Sequence, residues 1–399
     1  MKRILFLTIP EKGHINPMIG PAVWLQRMGH MVRFHAAHDI SQQLRLAGLE
    51  QVEENAETAP PLVDANRGAF FAEKVRDPLW LRYWIARLLI EEAPEQLPAL
   101  EAAISRFRPD LVVTDPMIYP AAIAAHRAGV PWVALSNSLN PVLDDAVTSE
   151  LLDTVHALAP AREELFARYG MALEFRGCDM LSPHLTIAFT TPEFIGRDVP
   201  GVEMVGPSLP PEMRGDEIDF PWEKLAADRP RIFMSFGSQI YHQPELFQKV
   251  IRATEFMGVQ LVLSVNELLG SAALADLPPH VLACYSAPQL ALLPKMDAFI
   301  THGGANSVME ALCFGVPLLV SPICNDQFHQ AHYIRQSGTG IVSDLYEAEE
   351  LQIRESLRRL LVDETIAANV HRVAQSYEVD GARRAAELIG QIPLTRHLS

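Results

Sequence analysis

The sequence predicts two doubly wound α/β domains opening onto a single cleft. Three observations carry that fold class. A chain of 399 residues is too long for one ordinary core, so two domains are expected. In each half, apolar runs of strand length alternate with helical patterns, as in a parallel sheet covered by helices. Between the halves, "GPSLPPEMRGDEIDFPWEKLAADRP" is rich in prolines and charges and shows little periodicity. Residues 1–206 therefore read as the first domain, 207–229 as the linker and 230–399 as the second domain, whose last helix is a candidate to pack back on the first.

In the first half, "KRILFLTI" is a continuous apolar run and reads as a buried strand. The loop "PEKGHINP" leads into a helical pattern that ends near Gly29. "MVRFHAA" is the next strand. "DPLWLRYWIARLLIEEAPEQLPALEAAISRF" has helical periodicity interrupted at prolines. "DLVVTD" and "PWVALSNS" are short strands flanking "MIYPAAIAAHRAG", a helix of small residues. The second half repeats the scheme with strands "RIFMSF", "VQLVLSV", "VLACY", "AFITH" and "VPLLVSP". Ligands of such sheets bind outside the carboxyl ends of the strands, and both sheets can offer theirs to one cleft.

Composition narrows the partners. A formal net charge of −16 argues against nucleic acid, whose binding rests on clustered Lys and Arg. Lys2 and Arg3 look like the start of a signal peptide, but the apolar run behind them is short and meets Pro10 and Glu11. No run approaches the ~18 apolar residues of a membrane span, so stable membrane insertion is not expected. The cysteines (Cys178, Cys284, Cys313, Cys324) lack CxxC spacing and read as buried thiols in a reducing cytoplasm.

The densest chemistry lies at "THGGANSVMEALCFG". His302 stands where a strand ends. Gly303 and Gly304 make a turn that lets backbone N–H groups approach an anion, and the helix that follows adds partial positive charge. His302, Asn306 and Ser307 supply side-chain donors. This is phosphate chemistry without a Walker lysine. A second Gly-Ser turn, Gly237-Ser238, follows the first strand of the same domain, and two such turns at one sheet edge suit a diphosphate. Glu310, two turns into the helix, could accept from ribose hydroxyls; by itself such a residue is more often a solvated helix residue.

In the first domain, His14 follows the first strand and Asp115 ends "DLVVTD" at the same sheet edge. A carboxylate there can bond one imidazole nitrogen, fix the tautomer and leave the other nitrogen to take a proton. No GxSxG elbow accompanies the pair, so a hydrolase triad is disfavoured. No D-x-D is present, and His329 and His332 lack an evident third ligand, so no metal is expected. Phe70, Phe71, Trp80, Tyr83 and Trp84 read either as the wall of a small-molecule pocket or as a packed helix face.

The stretch "SAPQLALLPKMDAFITHGGANSVMEALCFGVPLLVSPICNDQFHQA" resembles the donor-binding signature of the UDP-sugar glycosyltransferases. That GT-B-fold family includes plant secondary-metabolite enzymes and bacterial macrolide and antibiotic glycosyltransferases. P-Q, H-x-G-x-N-S, a later E, G-x-P and D-Q all occur in order, and weaker likeness runs from "GHINP" to "GARRAAELI". The resemblance implies that the Ala287 backbone meets the nucleobase and that Gln289 and Glu310 hold the ribose. Ser238, His302, Asn306 and Ser307 hold the diphosphate, Asp326 and Gln327 the donor sugar, and His14 and Asp115 form the base dyad. Ser286 stands where many relatives carry a stacking Trp, which leaves uridine and thymidine diphosphates open.

The expected activity is metal-independent, inverting transfer of a hexose, glucose by the implication of Gln327, from a UDP-sugar to a hydroxyl of a small apolar acceptor. No cofactor beyond the nucleotide-sugar co-substrate is expected. The rivals are a GT-B-fold sugar-nucleotide epimerase or hydrolase, and a non-catalytic sugar-nucleotide-binding partner protein. A binding module would need neither His14 nor Asp115.

Overall fold

The computed structural model describes residues 1–52, 65–215 and 217–393. Residues 53–64, position 216 and residues 394–399, which the domain boundaries above include, lie outside the described residues. The first domain contains β1 (Arg3–Leu7), β2 (Met31–His35), β3 (Leu111–Thr114), β4 (Trp132–Ser136), a small antiparallel hairpin of β5 (Phe175–Arg176) and β6 (Asp179–Met180), then β7 (Thr186–Ala188) and β8 (Glu203–Met204). Its parallel sheet has the order β2-β1-β3-β4-β7-β8. The second domain contributes β9 (Arg231–Ser235), β10 (Gln260–Ser264), β11 (Val281–Cys284), β12 (Ala298–Thr301), β13 (Leu318–Val320) and β14 (Gly340–Val342), ordered β11-β10-β9-β12-β13-β14.

Continuous apolar runs mark the central strands because helices cover both faces of each sheet. Ile4, Leu5, Phe6 and Leu7 are all fully buried, as are Ile232 and Met234 in β9. Strand order reverses between β1 and β3 in the first sheet and between β9 and β12 in the second. At those switch points Leu7 lies beside Thr114, and Ser235 beside Thr301. The chain leaving these four strands carries His14, Asp115, Ser238 and His302. Topology thus gathers four residues that are far apart in sequence at the two crevices where such sheets bind ligands.

All nine strands read from the sequence form. The short strands β5 to β8 and β14 escape a periodicity reading, because two or three residues show no period. One boundary is corrected. The first helix spans Lys12–Arg27, so Gly13 and His14 lie in its first turn rather than in a loop, with Pro17 and Pro21 inside it.

The domains are joined by more than the linker. The last helix, Gly381–Gln391, lies along Lys12–Arg27 so closely that a Cβ at Gly20 would sit 2.7 Å from the Ala382 Cβ. Lys2 Nζ donates to the Gly390 carbonyl at 2.7 Å. One apolar cluster runs through both domains, with Phe6 and Ile19 from the first and Leu312, Tyr333 and Ile389 from the second. Polar contacts tie the loop after β4 to the helix Gln327–Ser337: Tyr333 donates to the Val142 carbonyl at 2.9 Å, and His329 Nε2 lies 2.8 Å from the Ser149 hydroxyl. Burial pulls the His329 imidazole down to about 4, so it is neutral in this contact. Among the described residues no cluster of His, Cys, Asp and Glu could hold a metal ion, and no helix is long and apolar enough to cross a membrane.

Candidate active site

His14 and Asp115 meet where the sheet topology brings them. His14 Nδ1 lies 2.5 Å from Asp115 Oδ2, and Asp115 is fully buried. Asp115 Oδ1 accepts the Met117 N–H at 2.9 Å, which fixes the carboxylate. Desolvation alone would lower the His14 pKa, but the charge and hydrogen bond of Asp115, with Glu11 and Asp326 nearby, outweigh it and raise the pKa to about 9. The other nitrogen, Nε2, lies 3.8 Å from Glu11 Oε2, and both residues line the central cavity. Asn137, just beyond β4, completes the cluster: its amide donates to Asp115 Oδ2 at 2.9 Å and lies 2.6 Å from His14 Nδ1. The sequence reading missed Asn137. Its signal was position alone, a polar residue leaving the strand next to Asp115.

The two prolines of the first helix have a direct consequence for the site. Proline has no N–H, so the carbonyl four residues earlier loses its helical partner. Pro17 releases the Gly13 carbonyl, which accepts from Asn306 Nδ2 of the second domain at 2.9 Å. Pro21 releases the Pro17 carbonyl, which accepts from Ser208 Oγ of the linker at 2.6 Å. Both vacated acceptors are thus taken up across the domain boundary. One of these bonds ties the His14 turn to the glycine-rich turn of the second domain.

That second turn has the features that favour an anion. Gly304 caps the helix Ala305–Cys313, and no side chain bonds its first N–H groups. Gly303 takes φ +88° and Gly237 φ +73°, conformations that other residues rarely adopt. The His302 ring packs between the two turns. A Cβ at Gly304 would lie 2.6 Å from its Nε2, and one at Gly237 3.0 Å from its Cε1. Burial drives the His302 pKa down to about 4, against a hydrogen bond to the Ser235 backbone, so the ring is neutral at neutral pH. Ser238, Asn306 and Ser307 line the cavity beside it.

Ala287 and Ser286 line the same cavity. Tyr285, just before them, points to solvent and bonds Glu267 at 2.6 Å. Gln289 Nε2 donates to Glu310 Oε2 at 2.7 Å, and Arg214 Nη1 donates to Glu310 Oε1 at 2.5 Å. Glu310 is therefore no solvated helix residue but half of a sealed ion pair with the linker. Arg214 went unnoticed in the sequence because 96 residues separate it from its partner.

Asp326 immediately precedes the helix Gln327–Ser337, and its side chain caps nothing. Burial raises its pKa, while His14 across the cleft pulls the other way. Gln327 is committed to the loop: its Oε1 accepts the N–H groups of Ile323 at 2.8 Å and Cys324 at 3.1 Å. Its amide group donates to Cys324 Sγ at 3.4 Å, which leaves one N–H for a ligand. Every residue expected to bind the donor lines this one cavity of about 320 Å³, together with His14; Asp115 lies beneath His14. Phe71, Trp84, Ile85, Leu88, Leu89 and Leu151 give the cavity an apolar stretch of wall. Trp80 stacks on Trp84 behind it, whereas Phe70 and Tyr83 are exposed.

Residues 251–389 match the C-terminal domain family described as erythromycin biosynthesis protein CIII-like. The chain is 26% identical to an NDP-glycosyltransferase of Bacillus subtilis over 392 residues, covering 96% of this chain and 95% of that one. It is 27% identical to the oleandomycin glycosyltransferase of Streptomyces antibioticus over 405 residues, covering 99% and 91%. The crystallised spinosyn rhamnosyltransferase in complex with thymidine diphosphate superposes with a TM-score of 0.73 at 19% identity, covering 98% of this chain and all of that one. Fold, site and likeness together define a GT-B glycosyltransferase. Over nearly its whole length the chain is similar to family 1 glycosyltransferases, macrolide and antibiotic enzymes among them, and its second domain matches the erythromycin-type family.

Proposed function

We propose that this glycosyltransferase is metal-independent and inverting, moving glucose from UDP-glucose to a hydroxyl of a small, largely apolar acceptor such as a polyketide, macrolide or phenol. One observation carries the reading. The His14–Asp115 pair faces the uncapped N-terminus of Ala305–Cys313 across a single cavity, and the Asn306–Gly13 bond holds the two together. The apolar wall and relatives named for antibiotics, such as the oleandomycin enzyme, support the acceptor class. Four free cysteines agree with a cytoplasmic setting.

In this mechanism His14 Nε2 takes the proton of the acceptor hydroxyl as its oxygen attacks the anomeric carbon. The bond from that carbon to the diphosphate breaks on the opposite face, so an α-linked donor yields a β-glycoside. Charge growing on the leaving diphosphate is met by the backbone N–H groups at Ala305–Cys313, with Ser238 and His302 beside them. Asp326 and the remaining Gln327 N–H hold sugar hydroxyls.

Incubation with UDP-glucose and an acceptor library in excess EDTA, read by mass spectrometry, tests the proposal. An acceptor carrying one added hexose is expected, and nuclear magnetic resonance should show a β linkage. Activity lost in EDTA and restored by Mg²⁺ or Mn²⁺ would end the metal-independent reading. Free UDP and glucose, without a coupled product, would favour the hydrolase.

A further inference from the structure

Glu310 stands where the resemblance expects a ribose to be read, yet its side chain is only 1% exposed. Both carboxylate oxygens are occupied, Oε1 by Arg214 and Oε2 by Gln289. Arg214 is itself 4% exposed and permanently charged, which suits it to hold a buried carboxylate in place. The linker is shaped to deliver it. Glu217 accepts the backbone N–H groups of Arg214 at 2.6 Å and Gly215 at 2.8 Å. Gly215 takes φ +94° where a Cβ would lie 2.4 Å from the Gln43 carbonyl oxygen, so the turn fits closely against the first domain. Glu310 borders the cavity, but with its side chain only 1% exposed a ribose hydroxyl reaches it by displacing one of these partners.

We propose that Arg214 is a nucleoside-selecting residue. By holding Glu310 shut, it withdraws the carboxylate that would otherwise accept from the ribose 2′-hydroxyl. The donor site then takes 2′-deoxyribonucleoside diphosphates as readily as their ribo counterparts. The inference rests on the reading of this cavity as a nucleotide-sugar site.

Calorimetry with UDP and 2′-deoxy-UDP tests it, because the two ligands differ only in the hydroxyl at issue. In the wild-type chain their affinities should lie within fivefold. Arg214→Gln releases Glu310, and UDP should then be preferred by more than fivefold, since a hydroxyl bonded to a charged acceptor contributes about tenfold or more. A purely structural role for Arg214 would weaken both ligands alike and leave their ratio unchanged. A wild-type preference for UDP above fivefold would show that Glu310 is reachable and overturn the proposal, as would a ratio unmoved in Arg214→Gln. Should that variant fail to fold, the wild-type ratio decides alone. If wild type binds neither nucleotide, the donor-site reading falls and this inference with it; a strong UDP preference removes the inference alone.

Discussion

His14→Ala is expected to cut turnover by about 10²–10⁴-fold, the usual contribution of a general base, while UDP affinity changes little. The expectation rests on geometry. His14 Nδ1 is held 2.5 Å from a fully buried Asp115 carboxylate, which leaves Nε2 facing the cavity. The glycine-rich turn belongs to the other domain and touches the His14 turn through the Gly13 carbonyl, a backbone group that the substitution retains. Steady-state kinetics with calorimetry of UDP binding separates the two effects. Near-normal turnover in His14→Ala would remove the imidazole from the mechanism.

The same residue sets the sign of the pH dependence. A base acts in its neutral form, and the pKa of His14 is raised to about 9 in the free site. The rate should therefore climb with pH, about tenfold per unit well below that value, and level off above it. Asp115→Asn removes the largest influence raising that pKa. Its rising limb should shift to lower pH, and its plateau should fall because the tautomer is no longer fixed. A limb that stays in place after Asp115→Asn would mean that another group carries the titration.

The sequence makes visible whatever depends on pattern within a strand or on residues leaving strand ends. Buried strands such as "RILFL" and "AFIT" announce themselves as unbroken apolar runs. His14, Asp115, Ser238 and His302 could be placed at sheet edges before any coordinates, because doubly wound topology forces such positions together. What pattern hides is contact between distant side chains. Arg214 sits in a stretch with no periodicity, and nothing local marks it as the partner of Glu310. Pro17 looked like the end of a loop, whereas it lies within a helix and frees a carbonyl for Asn306. Gln327 has the right identity for a sugar ligand, but two backbone N–H groups claim its oxygen. In each case the deciding neighbour comes from tertiary structure.

His302→Ala should weaken UDP binding by roughly ten- to a hundredfold and slow transfer as well. Hydrogen bonds to charged groups contribute about 1.5–3 kcal/mol, and those to the diphosphate strengthen as charge develops during bond breaking. The ring also fills the space between the Gly237 and Gly304 turns, so its loss should relax both of them. Because burial holds its pKa near 4, His302 is neutral from pH 6 to 9 and adds no pH dependence of its own to UDP affinity there. Asp326→Ala makes the contrast. Its carboxylate caps nothing and faces His14 across the cleft, one strand and one helix beyond the glycine-rich turn. UDP should bind it almost normally, while affinity for the intact UDP-sugar or turnover falls. Calorimetry with UDP and with the whole donor reads both variants. Equal UDP affinity in wild type and His302→Ala would reduce the glycine-rich turn to a structural feature, and a large UDP loss in Asp326→Ala would move the sugar away from this carboxylate.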